Sequence, residues 1–513
     1  MSNNKENNKR IAKNTVFLYC RMLFMMLISL YTSRIVLSTL GIEDFGIFNV
    51  VGGIVTMLTF LNSSMTVSTQ RYLNYELACS NHTHLASIFS TSINIHITIS
   101  IIIIILSETV GIWLLYNHMS IPHEKINAAL WVFQLSILST VIMIMSVPYN
   151  AIIIAYERMG VFAYISILEA ILKLVIVYVL LVFNKIDTLK LYAVLMCCIQ
   201  IIIRFIYTIY CKKNFPEIKY KLSFNRKLFN EMINFASWNL IGNIAVIAYT
   251  QGLNILLNIF FSPVINAARG IAVQVQNTIR SFCQNFQTAL NPQITKSYAT
   301  KDFEYMSSLI YASSKYSFFL LFFISLPILI ETKEILNWWL KEVPEHTTSF
   351  ARLIICTSMI EAISNPLITA VQATGKIKRY QIIIGSIQLS ILPISYIALS
   401  LCKIPEIAFI VNLVIITVAQ IARIFIVKTL MPFSIKKYFK TVIYKIILVC
   451  STSYIPTVIL YYILPNNNFF SFISLCIFSI ILTSITIYTL GLDDSEKKVI
   501  KNKATKIYNY IIN

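Results

Sequence analysis

The sequence predicts an all-α polytopic membrane protein with about 14 transmembrane helices. We expect them to form two parallel six-helix repeats and a C-terminal helix pair. Three observations support this fold class. The 513 residues are 57% hydrophobic and only 12% charged, apolar runs recur from end to end, and motifs of the first half reappear in the second half. Soluble globular domains do not have this composition.

Each predicted span follows from the thickness of the bilayer. A hydrocarbon core of roughly 30 Å requires about 20 mostly apolar residues per helix. Fourteen segments meet this requirement, and thirteen or fifteen spans stay open because boundaries taken from sequence are soft. The first span is expected to be uncleaved, since its apolar run is too long for a signal peptide. The predicted spans are residues 14–36, 48–70, 86–113, 126–150, 161–183, 190–210, 233–256, 265–291, 307–330, 347–371, 380–400, 405–427, 441–463 and 469–490.

The basic residues indicate orientation rather than nucleic-acid binding. The net charge is +20, but Lys and Arg are concentrated in alternate loops. With the N-terminus in the cytoplasm, inside segments carry 26 of these cations and outside loops carry 6. This asymmetry predicts that both termini are cytoplasmic, and we expect no nucleic-acid partner.

Cysteine and histidine spacing predicts neither a disulfide framework nor a metal site. The ten cysteines show no CxxC pair. Cys79, His82 and His84 lie close together, but a structural zinc site needs a fourth ligand. We therefore expect no metal and no cofactor.

The two halves contain motifs in the same order at a nearly constant offset, which predicts a repeat. The matching pairs are Gly46 with Gly270, Gln70 with Gln293, Pro148 with Pro366, Gln200 with Gln420, and Arg204 with Arg423. Six helices per repeat is an even number, so both repeats face the same way in the membrane. The predicted domains are a cytoplasmic tail at 1–13, six-helix bundles at 14–230 and 231–440, a helix pair at 441–490 and a cytoplasmic tail at 491–513.

The eighth predicted span has one polar face. At 100° per residue, seven polar side chains fall within about a 100° arc, namely Arg269, Gln276, Asn277, Arg280, Gln284, Gln287 and Asn291. An Arg at mid-depth costs about 2.5 to 3.5 kcal/mol on insertion scales, so this face should meet an internal cavity. The alternative is that the amides and hydroxyls only join helices across a dry interface. The predicted substrate-binding residues are Arg269, Asn277, Arg280, Gln284 and Gln287 of this span, with Arg21, Asn62 and Asn243 of spans 1, 2 and 7.

Other cations of the spans sort by depth. Arg21 and Arg34 are thirteen residues apart on nearly opposite faces of span 1, so only one can face a central cavity unless the helix bends. Arg21 is favoured by its depth, although snorkelling is an equal alternative. Arg204 and Arg423 lie toward the cytoplasmic ends of their spans, and we expect both to snorkel to the membrane surface.

Three residues are candidates for ion coupling. Glu169 and Lys173 stand at i, i+4 with Glu first, the order that favours an intrahelical ion pair. Such a pair can also be purely structural. Glu361 lies near the middle of its span without an intrahelical cation, which makes it a candidate for a proton- or cation-coupled carboxylate. It can equally be protonated and silent.

A polar, cationic interior with short outside loops predicts a carrier of an anion. The diphosphate of a lipid-linked sugar fits, because Arg binds phosphate oxygens in pairs. Asn, Gln and Thr along the same faces can bond sugar hydroxyls. The lipid tail can stay in the bilayer if a seam opens between the two repeats.

Several stretches resemble one family, and together they span nearly the whole chain. They are 33–78 (SRIVLSTLGIEDFGIFNVVGG…), 147–178 (VPYNAIIIAYERMG…), 254–276 (NILLNIFFSPVINAARGIAVQVQ), 285–298 (NFQTALNPQITKSY), 338–347 (WWLKEVPEHT) and 364–381 (SNPLITAVQATGKIKRYQ). These residues resemble bacterial polysaccharide-unit flippases, the Wzx-type O-antigen and capsule transporters of the multidrug/oligosaccharidyl-lipid/polysaccharide exporter superfamily.

The resemblance implies an inner-membrane flippase that uses alternating access. Its substrate would be an undecaprenyl-diphosphate-linked oligosaccharide, and its other partners membrane lipids and polysaccharide assembly proteins. In related peptidoglycan-precursor flippases, cations of helices 1, 2 and 8 line the cavity, and Arg21, Arg269 and Arg280 occupy comparable elements here. Span 2 departs from that pattern, since its only cation, Arg71, lies at its cytoplasmic end.

Two other functions stay open. A multidrug exporter of the same superfamily would favour carboxylates in its cavity, whereas Arg predominates on the polar face of span 8. A membrane polysaccharide polymerase or glycosyltransferase would need a large outside loop or a DxD triplet, and the sequence has neither. Asp493 and Asp494 are expected to be a solvated pair. The chain is therefore predicted not to be an enzyme.

Overall fold

The computed structural model describes the whole chain except residues 1, 80–81, 118–121, 184–186, 217, 219, 221–224, 262, 341–342, 465–468, 495, 499–500 and 502–513. The described residues form α-helices joined by short turns, with a few π and 3-10 segments and no β-strand. The predicted all-α fold class is confirmed.

Eighteen α-helices are present in the described part of the chain. They are α1 (Ser2–Met57), α2 (Phe60–Ala78), α3 (His82–Leu106), α4 (Ile112–Asn117), α5 (Ile126–Ala155), α6 (Met159–Val182), α7 (Thr188–Asn214), α8 (Arg226–Phe260), α9 (Pro263–Ala299), α10 (Phe303–Ile330), α11 (Thr332–Trp339), α12 (Thr347–Thr374), α13 (Lys378–Leu389), α14 (Ile391–Cys402), α15 (Glu406–Leu430), α16 (Ile435–Tyr438), α17 (Tyr444–Ile463) and α18 (Phe469–Thr486).

Twelve helical stretches of the described residues are long and apolar enough to cross a membrane. Each of the fourteen predicted spans falls on one or more consecutive helices. The two that do not qualify are 48–70, which the turn at Leu58–Thr59 divides between α1 and α2, and 265–291, whose helix α9 is too polar. The polarity of α9 comes from the side chains that predicted a cavity. The count of fourteen is therefore not confirmed at these two spans.

Local backbone chemistry sets several of the helix breaks. Gly41 has φ 80° and ψ 167°, which divides α1 into two arms between the first two predicted spans. This left-handed φ is one that glycine adopts without the clash a Cβ would cause. A π segment at Ser107–Gly111 joins α3 to α4, and another at Ile487–Gly491 follows α18.

The described chain packs as two compact units. The first unit comprises Met1–Ile244, Thr288–Asp302 and Gln372–Gln381, and the second comprises Ala245–Gln287, Phe303–Val371 and Ile382–Asn513. Each has its own apolar core. In the first unit Leu73, Ile153, Leu180 and Met232 are fully buried, and in the second Leu257, Phe350, Ile391 and Ala408 are. The predicted domain boundaries stay predictions.

A buried carboxylate joins three segments of the first unit. The side chain of Glu157 is fully buried and pairs with Lys296 at 2.5 Å and with Arg10 at 2.7 Å. Gln293 donates a hydrogen bond to the same carboxylate at 2.7 Å, and the backbone carbonyl of Glu157 accepts one from Asn14. Burial lowers the pKa of Lys296, and the Glu157 carboxylate opposes this. The cluster therefore links α1, the α5–α6 turn and the end of α9.

A second contact of the first unit accounts for the position of Arg71. Its guanidinium donates to the backbone carbonyls of Gln372 at 2.8 Å and Ala373 at 3.3 Å, near the end of α12. The chain leaves this helix through Gly375 at φ +75°, where a Cβ would lie 2.4 Å from the Arg71 guanidinium. Glycine is required there on both grounds. Arg71 thus satisfies helix-end carbonyls.

In the second unit, acidic residues that follow α18 neutralise buried lysines. Lys315, only 3% exposed in α10, pairs with Glu496 at 2.7 Å and Asp493 at 3.3 Å. Lys445 pairs with Asp493 at 2.5 Å. Burial raises the pKa of Asp493, but the hydrogen bonds and charges of the two lysines outweigh burial and hold it below its ordinary value. Asp493 stays 47% exposed, as a solvated residue would, but it also pairs with two lysines, which the sequence did not predict.

We expect Glu157→Gln to lower the free energy of unfolding by about 3 kcal/mol, because it leaves the buried Lys296 ammonium without a counter-charge. Thermal unfolding of the purified protein measures this loss. In the double variant Glu157→Gln/Lys296→Met, no buried cation remains, so most of the stability should return. Arg10→Ala is the control and should cost under about 1 kcal/mol, since Arg10 is exposed. Equal losses in the single and double variants would contradict this account.

Candidate functional site

The second unit encloses a cavity of about 210 Å³. Its walls come from α8, α9, α12, α13 and α15. The cavity combines charged, amide and hydroxyl side chains with an apolar remainder. The lining residues are Val246, Tyr249, Thr250, Leu253, Arg269, Val273, Gln276, Arg280, Ile354, Thr357, Glu361, Ser364, Asn365, Ile368, Gln388, Phe409, Asn412 and Arg423.

The centre of the charged wall is an ion pair between α9 and α12. Arg280 Nη1 lies 3.0 Å from Glu361 Oε2, and the side chains are 35% and 20% exposed. No cation lies near Glu361 on its own helix, and α9 supplies Arg280 instead. A guanidinium has five N–H donors, so Arg280 can hold Glu361 and still present donors to the cavity. The proposed coupling role of Glu361 stays a prediction.

Arg269 is held in place by α8. It donates hydrogen bonds to the side chain of Asn254 and, at 2.9 Å, to the backbone carbonyl of Thr250. Both partners are neutral, so neither cancels the charge. The neighbouring wall residue Gln276 donates to Ser358 at 2.7 Å. Arg269 therefore contributes a fixed, uncompensated cation.

Arg423 of α15 also lines this cavity. It is 4% exposed and donates to Ser364 at 3.1 Å. The prediction that Arg423 snorkels to the membrane surface is wrong, because its side chain turns to the hydroxyl of α12. A signal was available in the sequence: Asn412, Gln420 and Arg423 fall within about an 80° arc of one helix. That second polar face was overlooked.

The lining side chains carry three positive charges and one negative charge. Charge-assisted hydrogen bonds from guanidinium groups are strong, and the planar fork of Arg matches phosphate and carboxylate oxygens. Hydroxyls and amides of the same walls, among them Thr357 and Asn365, can bond further oxygens. The arrangement can hold a small anion.

The other predicted residues of α9 are not part of the cavity wall. Gln287 is 3% exposed and donates to Ser317 and to the Ala362 carbonyl, each at 3.0 Å, while it accepts from Asn365 at 2.8 Å. These bonds join three helices. Asn277 and Gln284 are exposed on α9.

The first unit places Arg21 in a separate charged cluster. Arg21 stacks over Phe162 at 4.4 Å and interacts electrostatically with Glu169. Lys173 forms the predicted ion pair with Glu169 at 2.7 Å, and Gln200 donates to the same carboxylate at 3.5 Å. Ion coupling by this pair stays a prediction.

The remaining predicted residues either lie between helices of the first unit or have side chains outside the part of the chain that the structure describes. Asn243 donates to Ser64 at 2.9 Å. Asn62 is 8% exposed, and its Oδ1 meets no donor among the described residues. The side chains of Arg34 and His82 lie outside the described part of the chain. Among the described residues, no group of three His, Cys, Asp or Glu could hold a metal ion.

Solved structures share this fold, although no protein-family model and no curated protein matches the chain. A multidrug resistance MATE family transporter of the MOP superfamily, in an outward-facing conformation, superposes with a TM-score of 0.72 at 12% identity, covering 82% of this chain and 95% of that one. A MATE structure in the straight conformation gives 0.70 at 12% identity, covering 82% and 96%.

A MOP superfamily transporter from Pyrococcus furiosus gives a TM-score of 0.68 at 13% identity, over 82% of this chain and 95% of that one. The chain has the fold of these transporters. At such low identity the likeness establishes the fold alone. Together with the apolar helices it identifies a membrane protein.

We expect Glu361→Gln to tighten the binding of inorganic pyrophosphate roughly tenfold, a change of about 1.4 kcal/mol. The variant removes the carboxylate that competes with an anion for Arg280. Calorimetric titration of the purified protein measures the affinity. The control is Glu169→Gln, which makes the same change in the charged cluster of the first unit. This variant should leave the affinity for pyrophosphate unaltered. Unchanged or weaker binding by Glu361→Gln would contradict the anion assignment.

Proposed function

We propose that this chain is a flippase that moves undecaprenyl-diphosphate-linked oligosaccharide units across a bacterial inner membrane by alternating access, for the assembly of surface polysaccharide. The observation that carries the proposal is the excess of Arg over Glu in the cavity of the second unit. The fold shared with MATE transporters supports the coarser part of the proposal, which is transport rather than catalysis.

The physical need for such a cavity follows from the cargo. An isolated ionised group moved into hydrocarbon costs tens of kcal/mol. A wall of guanidinium groups replaces the lost water and removes much of this cost, since Arg binds phosphate oxygens with paired hydrogen bonds. Arg269, Arg280 and Arg423 supply such a wall.

The size of the cavity indicates which part of the cargo it takes. Sites for drug-sized ligands are commonly about 300 to 1,000 Å³, whereas this cavity is about 210 Å³. It suits one or two phosphate groups rather than a whole glycolipid. The lipid tail would remain in the bilayer.

The remaining parts of the proposal rest on charge distribution and on the resemblance to Wzx-type flippases. The excess of Lys and Arg in alternate loops favours cytoplasmic termini. Membrane lipids are expected neighbours of the apolar helices, and polysaccharide assembly proteins are expected partners because they would consume the exported unit.

A multidrug exporter is the second candidate. One of the structurally similar proteins is a multidrug resistance transporter, and Glu361 could attract a cationic drug if Arg280 moved away. The Pyrococcus furiosus transporter is described as having a binding pocket of reversed polarity that suggests a different function. Pocket charge is therefore the property that separates the candidates, and the cavity here favours anions.

We expect Arg280→Ala to abolish export of lipid-linked oligosaccharide while the protein stays at normal abundance in the membrane. The variant removes the cation at the centre of the charged wall, and a lost charge-assisted bond of about 1.5 to 3 kcal/mol weakens binding roughly 10- to 100-fold. The measurement is the leaflet distribution of lipid-linked units in spheroplasts of a strain that depends on this chain.

The matched control is Arg379→Ala, which removes an exposed arginine of α13 and should export normally. Deletion of the gene should leave complete units on the cytoplasmic leaflet and remove surface polysaccharide. An enzyme would instead leave truncated or unpolymerised units. Normal export by Arg280→Ala, or truncated units after deletion, would refute the proposal.

A further inference from the structure

The first unit contains a second cavity, which is larger and carries no charge. Its volume is about 340 Å³, and its walls come from α1, α5 and α7 with Thr59 between α1 and α2. None of its described lining residues is ionisable. Its polar lining includes Ser136, Ser139 and Thr140 of α5 and Gln200 of α7, of which Gln200 donates to the Glu169 carboxylate behind it at 3.5 Å. An ion would find no counter-charge among the described lining residues, so the lining favours a neutral ligand.

The three hydroxyls of α5 are available to a ligand. Ser and Thr in helices often donate to the carbonyl four residues earlier, as Ser146 of the same helix does to Ile142 at 2.8 Å. Ser136, Ser139 and Thr140 make no such bond within the described part of the chain. Thr140 is only 7% exposed, and it lines the cavity with the two serines. Their spacing of i, i+3 and i+4 puts all three on one face.

Apolar groups complete the cavity. Phe48, Met143 and Met196 line it together with the hydroxyls. A sugar ring has the matching chemistry, because its C–H faces pack on apolar side chains while its hydroxyls exchange hydrogen bonds with Ser, Thr and Gln. The volume falls within the roughly 300 to 1,000 Å³ typical of small-molecule sites.

We propose that this cavity is a binding site for an uncharged sugar. The source of the sugar rests on the proposed function, since a lipid-linked oligosaccharide would bring sugar residues as well as a diphosphate. The binding site itself can be tested independently of transport. The two cavities would then divide the chemistry of one class of cargo, with the anion bound by the second unit and a neutral sugar by the first.

Two glycines provide a way to close the cavity selectively. A Cβ built on Gly53 meets no atom of the described residues within 4 Å, and one built on Gly52 lies 3.6 Å from the Ser136 hydroxyl. Both residues line the cavity. A larger side chain at Gly53 therefore fills space that a ligand would use without displacing the backbone. Gly53→Ala keeps most of that space and is the matched control.

The test measures binding to the full chain in lipid nanodiscs, free of sugar-based detergent. The probes are methyl glycosides of glucose, galactose, mannose and N-acetylglucosamine, followed by saturation-transfer NMR up to about 10 mM, well above a millimolar dissociation constant. Inorganic pyrophosphate is titrated in parallel. The variants are Ser136→Ala/Ser139→Ala/Thr140→Val, Gly53→Leu, Gly53→Ala and Arg280→Gln.

We expect at least one glycoside to bind the wild-type chain. The triple variant should weaken this binding roughly 10- to 100-fold, because it removes up to three hydrogen bonds. Gly53→Leu should abolish it, and Gly53→Ala should largely keep it. Arg280→Gln should bind the glycoside normally and lose pyrophosphate binding. The triple variant should bind pyrophosphate normally and bind the glycoside weakly.

Absence of glycoside binding by the wild-type chain, or equal binding by the triple variant, would overturn the sugar site. Loss of pyrophosphate binding in the triple variant would overturn the division between the two cavities. Failure of pyrophosphate to bind the wild-type chain would refute the anion cavity alone, so the two proposals fail by different measurements.

Discussion

The cost of placing charge among apolar helices is the constraint on which this structure depends. An ionised side chain away from water must be paired or must face a polar space. Glu157 forms ion pairs with Lys296 and Arg10. Lys315 pairs with two carboxylates that follow α18. In the second unit, three arginines meet one glutamate around an internal cavity. In the second unit, unlike at Glu157, the excess of cations therefore faces a cavity that can admit a ligand.

The helices could be predicted from the sequence because each span is recognisable from its own residues. A run of about 20 apolar residues needs no partner to be recognised. The same rule explains why 265–291 does not qualify as a span, since its polar face lowers its apolar content, whereas 48–70 is divided by the turn at Leu58–Thr59. Periodicity within one helix also placed Arg269 and Arg280 on a common face. Both line the same cavity.

What the sequence could not supply was contact between helices. Glu361 pairs with Arg280, 81 positions away along the chain, and no periodicity within a single helix reveals that pair. Gln287 was predicted to bind substrate because it shares the polar face, yet three packing contacts occupy it. Arg423 was assigned to the surface from its depth alone. Arg423 shares one face of its helix with Asn412 and Gln420. That shared face, considered together with depth, would have predicted that Arg423 lines a cavity.

The two polar cavities differ in chemistry, although the halves of the chain that hold them are predicted repeats. Gln200 and Gln420 are counterparts in the predicted repeat, as are Arg204 and Arg423. Arg423 lines the cavity of the second unit, whereas Arg204 stacks over Tyr149 at 4.1 Å and does not line the neutral cavity. The orientation of this arginine is therefore one of the differences between the two linings, beside Arg269 and Arg280, which only the second cavity has.

The ion pairs of Lys315 have a consequence for how the chain is made. Asp493 is synthesised 178 residues after Lys315, which at roughly 5–20 residues per second takes about 10 to 35 s. During that interval the ninth span enters the bilayer with an ammonium group that has no counter-ion from the tail. A chain that ends before Asp493 lacks both carboxylates, which leaves the charge of Lys315 uncompensated.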